Sequence, residues 1–195
     1  ASLYCHRGVC AEFLIQLFHH VSSRCSAYRF AVMYAGMNVL GLKIAGHDTG
    51  AAVFGGGKPV AIAEERLTRN KHSTEFPYKS IDYCLKTAGL TPEDIDLVVL
   101  DHTSKEKGKT SAEVFTEKTG GRFKAPVRMS GHRDARAAAA FFCSPFSEAA
   151  ILVYDGNGDF FKTNLGVVGA ETESLYRGDG SSIAFIDKTL HAKSA

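Results

Sequence analysis

Residues 38–68 read NVLGLKIAGHDTGAAVFGGGKPVAIAEERLT, and this stretch decides the fold. The apolar run 38–46 has the length and composition of a strand. HDTGAA (47–52) reads as a turn, and PVAIAEERLT (59–68) reads as a second strand. Gly55-Gly56-Gly57 supplies a hairpin turn before it, because glycine tolerates the positive φ that tight hairpins need.

Working outward, apolar Ile81, Cys84, Leu85 and Ala88 recur at helical spacing within 78–88. Gly89 suits the helix C-cap. Thr91 and Pro92 form a helix-start signal, as N-cap and first helical residue. DLVVLD (96–101) reads as a short buried strand, and 102–131 as a polar loop holding one short helix. HRDARAAAAFF (132–142) is a helix by propensity that stops near Ser144-Pro145. EAAILVYDGNGDF (148–160) is a strand that ends in a glycine turn, and 161–179 gives two more strands. Strands 38–46 and 148–155 both end in a turn of acidic and small residues, HDTG and DGNGD. The pattern implies two related halves, the second of them incomplete.

Composition narrows the function. The chain has 195 residues, 45% hydrophobic and 23% charged, and a formal net charge of +2. That balance gives no footprint for nucleic acid or for a membrane surface. No run of 18 apolar residues suggests a transmembrane helix. The five cysteines (Cys5, Cys10, Cys25, Cys84, Cys143) are odd in number and lack CxxC spacing. They read as reduced thiols in a cytoplasmic protein, not as a disulfide or zinc framework. Residues 1–36 contain three of the five cysteines and a single acid, Glu12. At Met37 the pattern changes to strand, turn, strand. Residues 1–36 are therefore expected to be an upstream or non-native extension, with Met37 as the natural start.

Four groups could carry chemistry. In GHDTGAA (46–52), Asp48, Thr49 and Gly50 end a strand with a carboxylate, a hydroxyl and backbone N–H groups, a set that can face phosphate or a metal. His47 beside them can exchange a proton near neutral pH. A tight turn with a solvated His-Asp pair is the plain alternative. In EERLTRNKH (64–72), Arg66, Arg69 and Lys71 follow a strand and could converge on an anionic group. A solvated charged face is the plain alternative there. His132 and Arg136 are four apart on one helix, where two histidines would grip an ion. A surface histidine is the plain alternative for His132. In DGNGD, Asp155 at a strand end can bind a divalent ion, and Gly156 and Gly158 let a phosphate approach the backbone. A hairpin turn accounts for them equally well.

GHDTGAAVF, GKPVAIAEERLTRNKH, Phe76-Pro77 and IDYCLKTAGLTPEDID occur in order, followed by HRDARAAAAFFCSPFSEAAILVYDGNGD. Together they resemble the NodU/CmcH carbamoyltransferases from residue 38 to about 190. The resemblance implies an α/β, actin-like ATPase fold with ribonuclease-H-like halves: mixed sheets flanked by helices, here the first half and part of the second. Residues 37–195 would be the N-terminal part of a longer enzyme. That enzyme would transfer carbamoyl from carbamoyl phosphate, through carbamoyl adenylate made with ATP, to a hydroxyl of a small-molecule or sugar acceptor.

By the same resemblance, His47 lies near the transferred carbamoyl group as a candidate base. Lys71 belongs to the nucleotide or carbamoyl site, and His132 and Asp155 match ligands of a divalent ion, iron or magnesium. The sequence departs from the family at Arg136, which stands where a second metal histidine is expected and cannot ligate. Arg133 also replaces a family histidine, and Asp159 a glutamate. The expectation is a weakened metal site and little transfer by this polypeptide alone. A non-catalytic nucleotide-binding or interaction module stays open as an alternative, as does, more distantly, an actin-like kinase or hydrolase. An open sheet edge would also permit a homodimer.

Overall fold

The computed structural model describes residues 36–44, 46–55, 58–101, 108–154, 160–162 and 168–192. The expected turns at Gly56-Gly57 and Asp155–Asp159, and segment 1–36 except Gly36, lie outside these residues. The first part runs β1 (Val39–Lys43), β2 (Gly50–Gly55), β3 (Lys58–Ala63), α1 (Glu64–Thr68) and α2 (Tyr78–Ala88). A 3-10 turn (Pro92–Asp94), β4 (Leu97–Asp101), α3 (Ser111–Lys118) and β5 (Val127–Ser130) follow. Then come α4 (His132–Phe142), β6 (Glu148–Tyr154), β7 (Phe160–Lys162), β8 (Val168–Asp179) and β9 (Ser182–Ala192).

The first sheet has the order β3-β2-β1-β4-β5. β2 pairs antiparallel with β1 and β3, whereas β4 is parallel to β1 and β5 to β4. β2 therefore runs against the other four strands. The sheet is mixed, with helices on both faces, as the α/β reading expects. Each central strand is apolar on both faces because each face is covered. Val39, Ala52, Phe54, Leu97 and Val99 face α4, while Leu40, Leu42, Ala51, Val53, Val98 and Leu100 face α2 and α3.

On α2, Ile81, Cys84 and Leu85 are buried, as the spacing requires. Each such aliphatic side chain contributes roughly 1.5–3 kcal/mol by leaving water. Gly89 ends α2 at φ 69 and returns its N–H to the carbonyls of Leu85 and Lys86. Thr91 and Asp94 form the expected cap, on a 3-10 turn and not an α-helix.

The second sheet joins β6 to β8 and β8 to both β7 and β9, all antiparallel. The run β6-β8-β9 repeats the connectivity of β1-β2-β3, with β7 added, as two related halves would. Helix α4 lies between the sheets. Its Ala137, Ala138, Phe141 and Phe142 share one core with Val39 and Phe54 on one side and Ile151, Val153 and Tyr176 on the other. The approach is close enough that a Cβ on Gly178 would sit 2.5 Å from the Phe141 ring.

Several local expectations need correction. EERLT is helix α1, not the end of a strand: the Glu64 N–H makes the last β2–β3 ladder bond, to the Thr49 carbonyl (2.9 Å), and the Glu64 side chain then turns to the N-terminus of α2. Gly50–Ala52 belongs to β2, so the turn is confined to Gly46–Thr49. The region read as a loop with one helix also contains β5, a short edge strand whose Arg128 and Met129 are exposed and give no alternation. Strand β9 was not anticipated; Phe185, Ile186 and Asp187 are all exposed, which breaks its period-two pattern. Among the described residues, no helix is long and apolar enough to cross a membrane.

Candidate functional site

The site begins where β1 ends. Gly46 (φ 71) and Asp48 (φ 61) turn the chain sharply, and only glycine, Asn and Asp adopt that conformation readily. Thr49 then anchors the turn. It is fully buried, its N–H donates to the Ser73 carbonyl (3.2 Å), and its Oγ1 donates to the Glu75 carbonyl (2.7 Å). These bonds tie the His47–Asp48 turn to the loop that follows α1. Gly50 sits where β2 passes β3 so closely that a Cβ would lie 3.0 Å from the Ile62 carbonyl.

The second loop is built with equal care. Helix α1 stops at Arg69 in the left-handed region (φ 62), and His72 is left-handed too (φ 56). The His72 N–H donates to Glu65 Oε2 (3.0 Å). Among the described non-glycine residues, Asp48, Arg69 and His72 are those with positive φ, and all three lie in these two loops. Strain held by surrounding bonds in this way clusters at functional sites.

The two loops meet at Asp48. His47 Nδ1 lies 2.6 Å from Asp48 Oδ2, and His72 Nδ1 lies 3.0 Å from Asp48 Oδ1. The imidazoles stand edge to face, with ring centroids 6.1 Å apart. One carboxylate thus orients two histidines. Burial raises the Asp48 pKa, but hydrogen bonds from His47 and His72 and their charge outweigh it, so the carboxyl sits below its ordinary value. The imidazole rings remain open to solvent, with 72% and 64% of the His47 and His72 side chains exposed.

Glu64 holds this region onto the fold. Its carboxylate is 2% exposed and accepts from the Lys79 N–H (3.1 Å), the Ser80 N–H (2.8 Å) and Ser80 Oγ (2.6 Å). These donors are in the first turn of α2, so Glu64 caps that helix from outside it. The first acid of EERLTRNKH is therefore a buried anchor, not part of a solvated face. Arg66, Arg69 and Lys71 are exposed.

Of the residues expected around the metal, His132 lies on α4. His132 and Arg136 are half-buried and one turn apart on α4. Asp155, Gly156 and Gly158 lie outside the described residues. Arg133 is structural: it is 2% exposed, and its guanidinium donates to the carbonyls of Val153 (3.0 Å), Thr172 (3.0 Å) and Glu171 (2.6 Å). Among the described residues, His47, Asp48 and His72 are the group whose ligand atoms all lie within 4.8 Å of one another. Sequence reasoning found His47 and Asp48 but missed His72. The available signal was its place at the end of the charged run, one hairpin away from Asp48.

Comparison with known proteins follows the same stretch. Residues 38–124 match the family model described as Carbamoyltransferase N-terminus. The uncharacterized protein sll1178 of Synechocystis is 31% identical over 166 residues, covering 66% of this chain and 27% of its own. Nodulation protein NolNO of Sinorhizobium fredii is 33% identical over 155 residues, covering 65% of this chain and 22% of its own. The chain thus spans about a quarter of the length of these relatives. Among solved structures, YeaZ from Pseudomonas aeruginosa superposes with a TM-score of 0.48 at 11% identity, over 82% of this chain and 69% of that one.

Proposed function

We propose, on the premise that this chain carries a NodU-type carbamoyltransferase N-terminal segment, that it serves carbamoyl transfer as part of a longer enzyme. The donor would be carbamoyl phosphate, converted through carbamoyl adenylate with ATP, and the acceptor a hydroxyl of a small molecule or sugar. The observation that carries this reading is the orientation of His47 by Asp48 at the open end of β1.

With Nδ1–H donated to Asp48, His47 presents Nε2 to the acceptor hydroxyl and takes its proton. The oxygen attacks the carbamoyl carbon, and the bond from that carbon to the adenylate oxygen breaks. AMP leaves, so the active site must stabilise charge on both the carbonyl and the phosphate. Lys71, exposed on the same loop as His72, supplies a cation for the phosphate.

A divalent ion at His132 and Asp155 would polarise the carbamoyl carbonyl. The residues present fit it poorly. Arg136 occupies the same face of α4 one turn on, where its guanidinium cannot ligate and opposes a cation. The same arginine favours a second reading, a non-catalytic nucleotide-binding or interaction fragment of the family.

A chimera separates the two. Residues 38–192 would replace the aligned segment in a complete carbamoyltransferase of this family, supplied with carbamoyl phosphate, ATP and a hydroxyl acceptor. Transfer is expected, with His47→Asn lowering kcat by about 10²–10⁴, the range of general base catalysis. A folded chimera that forms no carbamate ester would leave only the non-catalytic reading.

A further inference from the structure

We infer that His47, Asp48 and His72 form a binding site for a divalent transition-metal ion, with a ligand set different from His132 and Asp155. Two imidazoles and one carboxylate, with an open side, make a ligand set suited to Fe²⁺, Zn²⁺, Co²⁺ or Mn²⁺ and less suited to Ca²⁺ or Mg²⁺. The required atoms already converge. Each imidazole Nδ1 lies within 3.0 Å of an Asp48 oxygen, and all the ligand atoms fall within 4.8 Å of one another.

This convergence is imposed by bonds outside the ligand set. Thr49 pins the first loop to the carbonyls of Ser73 and Glu75, and Glu65 pins the backbone of His72. Asp48 and His72 both hold left-handed backbone, one in each loop. These bonds fix the two loops against each other, so the ligand atoms are placed before an ion arrives. The exposed imidazoles leave coordination positions for water or an acceptor hydroxyl.

What the ion would do rests on the carbamoyl-transfer reading. It would acidify a coordinated hydroxyl, with His47 a ligand in the loaded protein and the base in the ion-free protein. The existence of the site does not depend on that reading.

The test is titration of the 195-residue protein with Co²⁺ under reducing conditions, read by visible absorption. A nitrogen–oxygen site gives ligand-field bands, whereas cysteine sites add sulfur charge-transfer bands. One equivalent with nitrogen–oxygen bands is expected. His72→Asn and Asp48→Asn should each raise Kd by about 100-fold or more, since even outer-sphere partners are worth 10–100-fold. Asparagine tolerates the positive φ at both positions, so the fold should survive. His132→Asn should change Kd by less than about threefold. The wild type should also gain thermal stability with Co²⁺, a reading that needs no variant.

Absence of both the bands and the thermal shift overturns the site. So does a Kd unchanged in folded His72→Asn and Asp48→Asn proteins, or binding lost only in His132→Asn. Because binding is scored without substrate and transfer is scored in the chimera, each proposal can fail while the other stands.

Discussion

Replacing Glu64 by Gln tests whether the candidate site is anchored by a buried helix cap. Glu64 accepts three hydrogen bonds, from the Lys79 N–H and from the N–H and Oγ of Ser80. A glutamine oxygen placed at Oε2 keeps both Ser80 bonds. Its amide nitrogen then faces the Lys79 N–H, donor against donor. Leaving such buried groups unmatched costs roughly 1–3 kcal/mol. Loss of the negative charge at the α2 N-terminus adds about 0.3–1 kcal/mol, and up to ~2 in partly buried geometry. The expected total is about 1.3–4 kcal/mol, and up to ~5, a large share of the roughly 5–15 kcal/mol that holds a domain folded. Urea unfolding followed by circular dichroism should show a lower midpoint with an unchanged slope. Amide exchange at Lys79 and Ser80 should accelerate. Glu65→Gln, whose side chain accepts from the His72 N–H and lies 3.8 Å from the exposed Arg66 guanidinium, should cost less than about 1 kcal/mol. If Glu64→Gln unfolds within ~0.5 kcal/mol of the wild type, the cap is not what holds α1 to α2.

Arg133→Met should destabilise the protein by about 3–5 kcal/mol in the same assay, because three strand carbonyls lose a buried charged donor. A loss under ~1 kcal/mol would show that the guanidinium does not tie α4 to the second sheet. Burial pushes the Cys84 thiol from its ordinary 9.0 up to about 12. The folded protein thus keeps this thiol neutral while an unfolded chain ionises it. Stability from Cys84 is complete below pH 9 and falls by about 1.4 kcal/mol per pH unit from there towards 12. Cys84→Ala should flatten that part of the pH–stability curve, and an unchanged slope would refute the assignment.

Much of the fold was legible because its signals are local. The apolar runs at 38–46 and 96–101, the helical spacing of Ile81, Cys84 and Leu85, and the glycine stop at Gly89 each depend on neighbours in sequence. So does α4, whose alanine-rich segment matched the expected 132–142. What failed depended on distant partners. Helix α1 forms because Glu64 has the α2 N-terminus to cap, and nothing within residues 59–68 announces that. Strand β5 exists because β4 offers a parallel edge. Arg133 stood out only as the replacement of a family histidine, yet the second sheet turns it into a buried clasp.

The candidate site divides along the same line. The sequence by itself determined that the strand 38–46 ends in His47 and Asp48, an imidazole and a carboxylate at a turn suited to chemistry. Only the tertiary structure decided that His72 joins them. The antiparallel pairing of β2 with β3 and the clamp from Thr49 to the 73–75 loop bring together residues 24 apart in sequence. Adjacency on the chain can be read from composition and spacing. Convergence of two loops on one carboxylate requires a sheet to fold the chain back, and that is a property of the packed molecule alone.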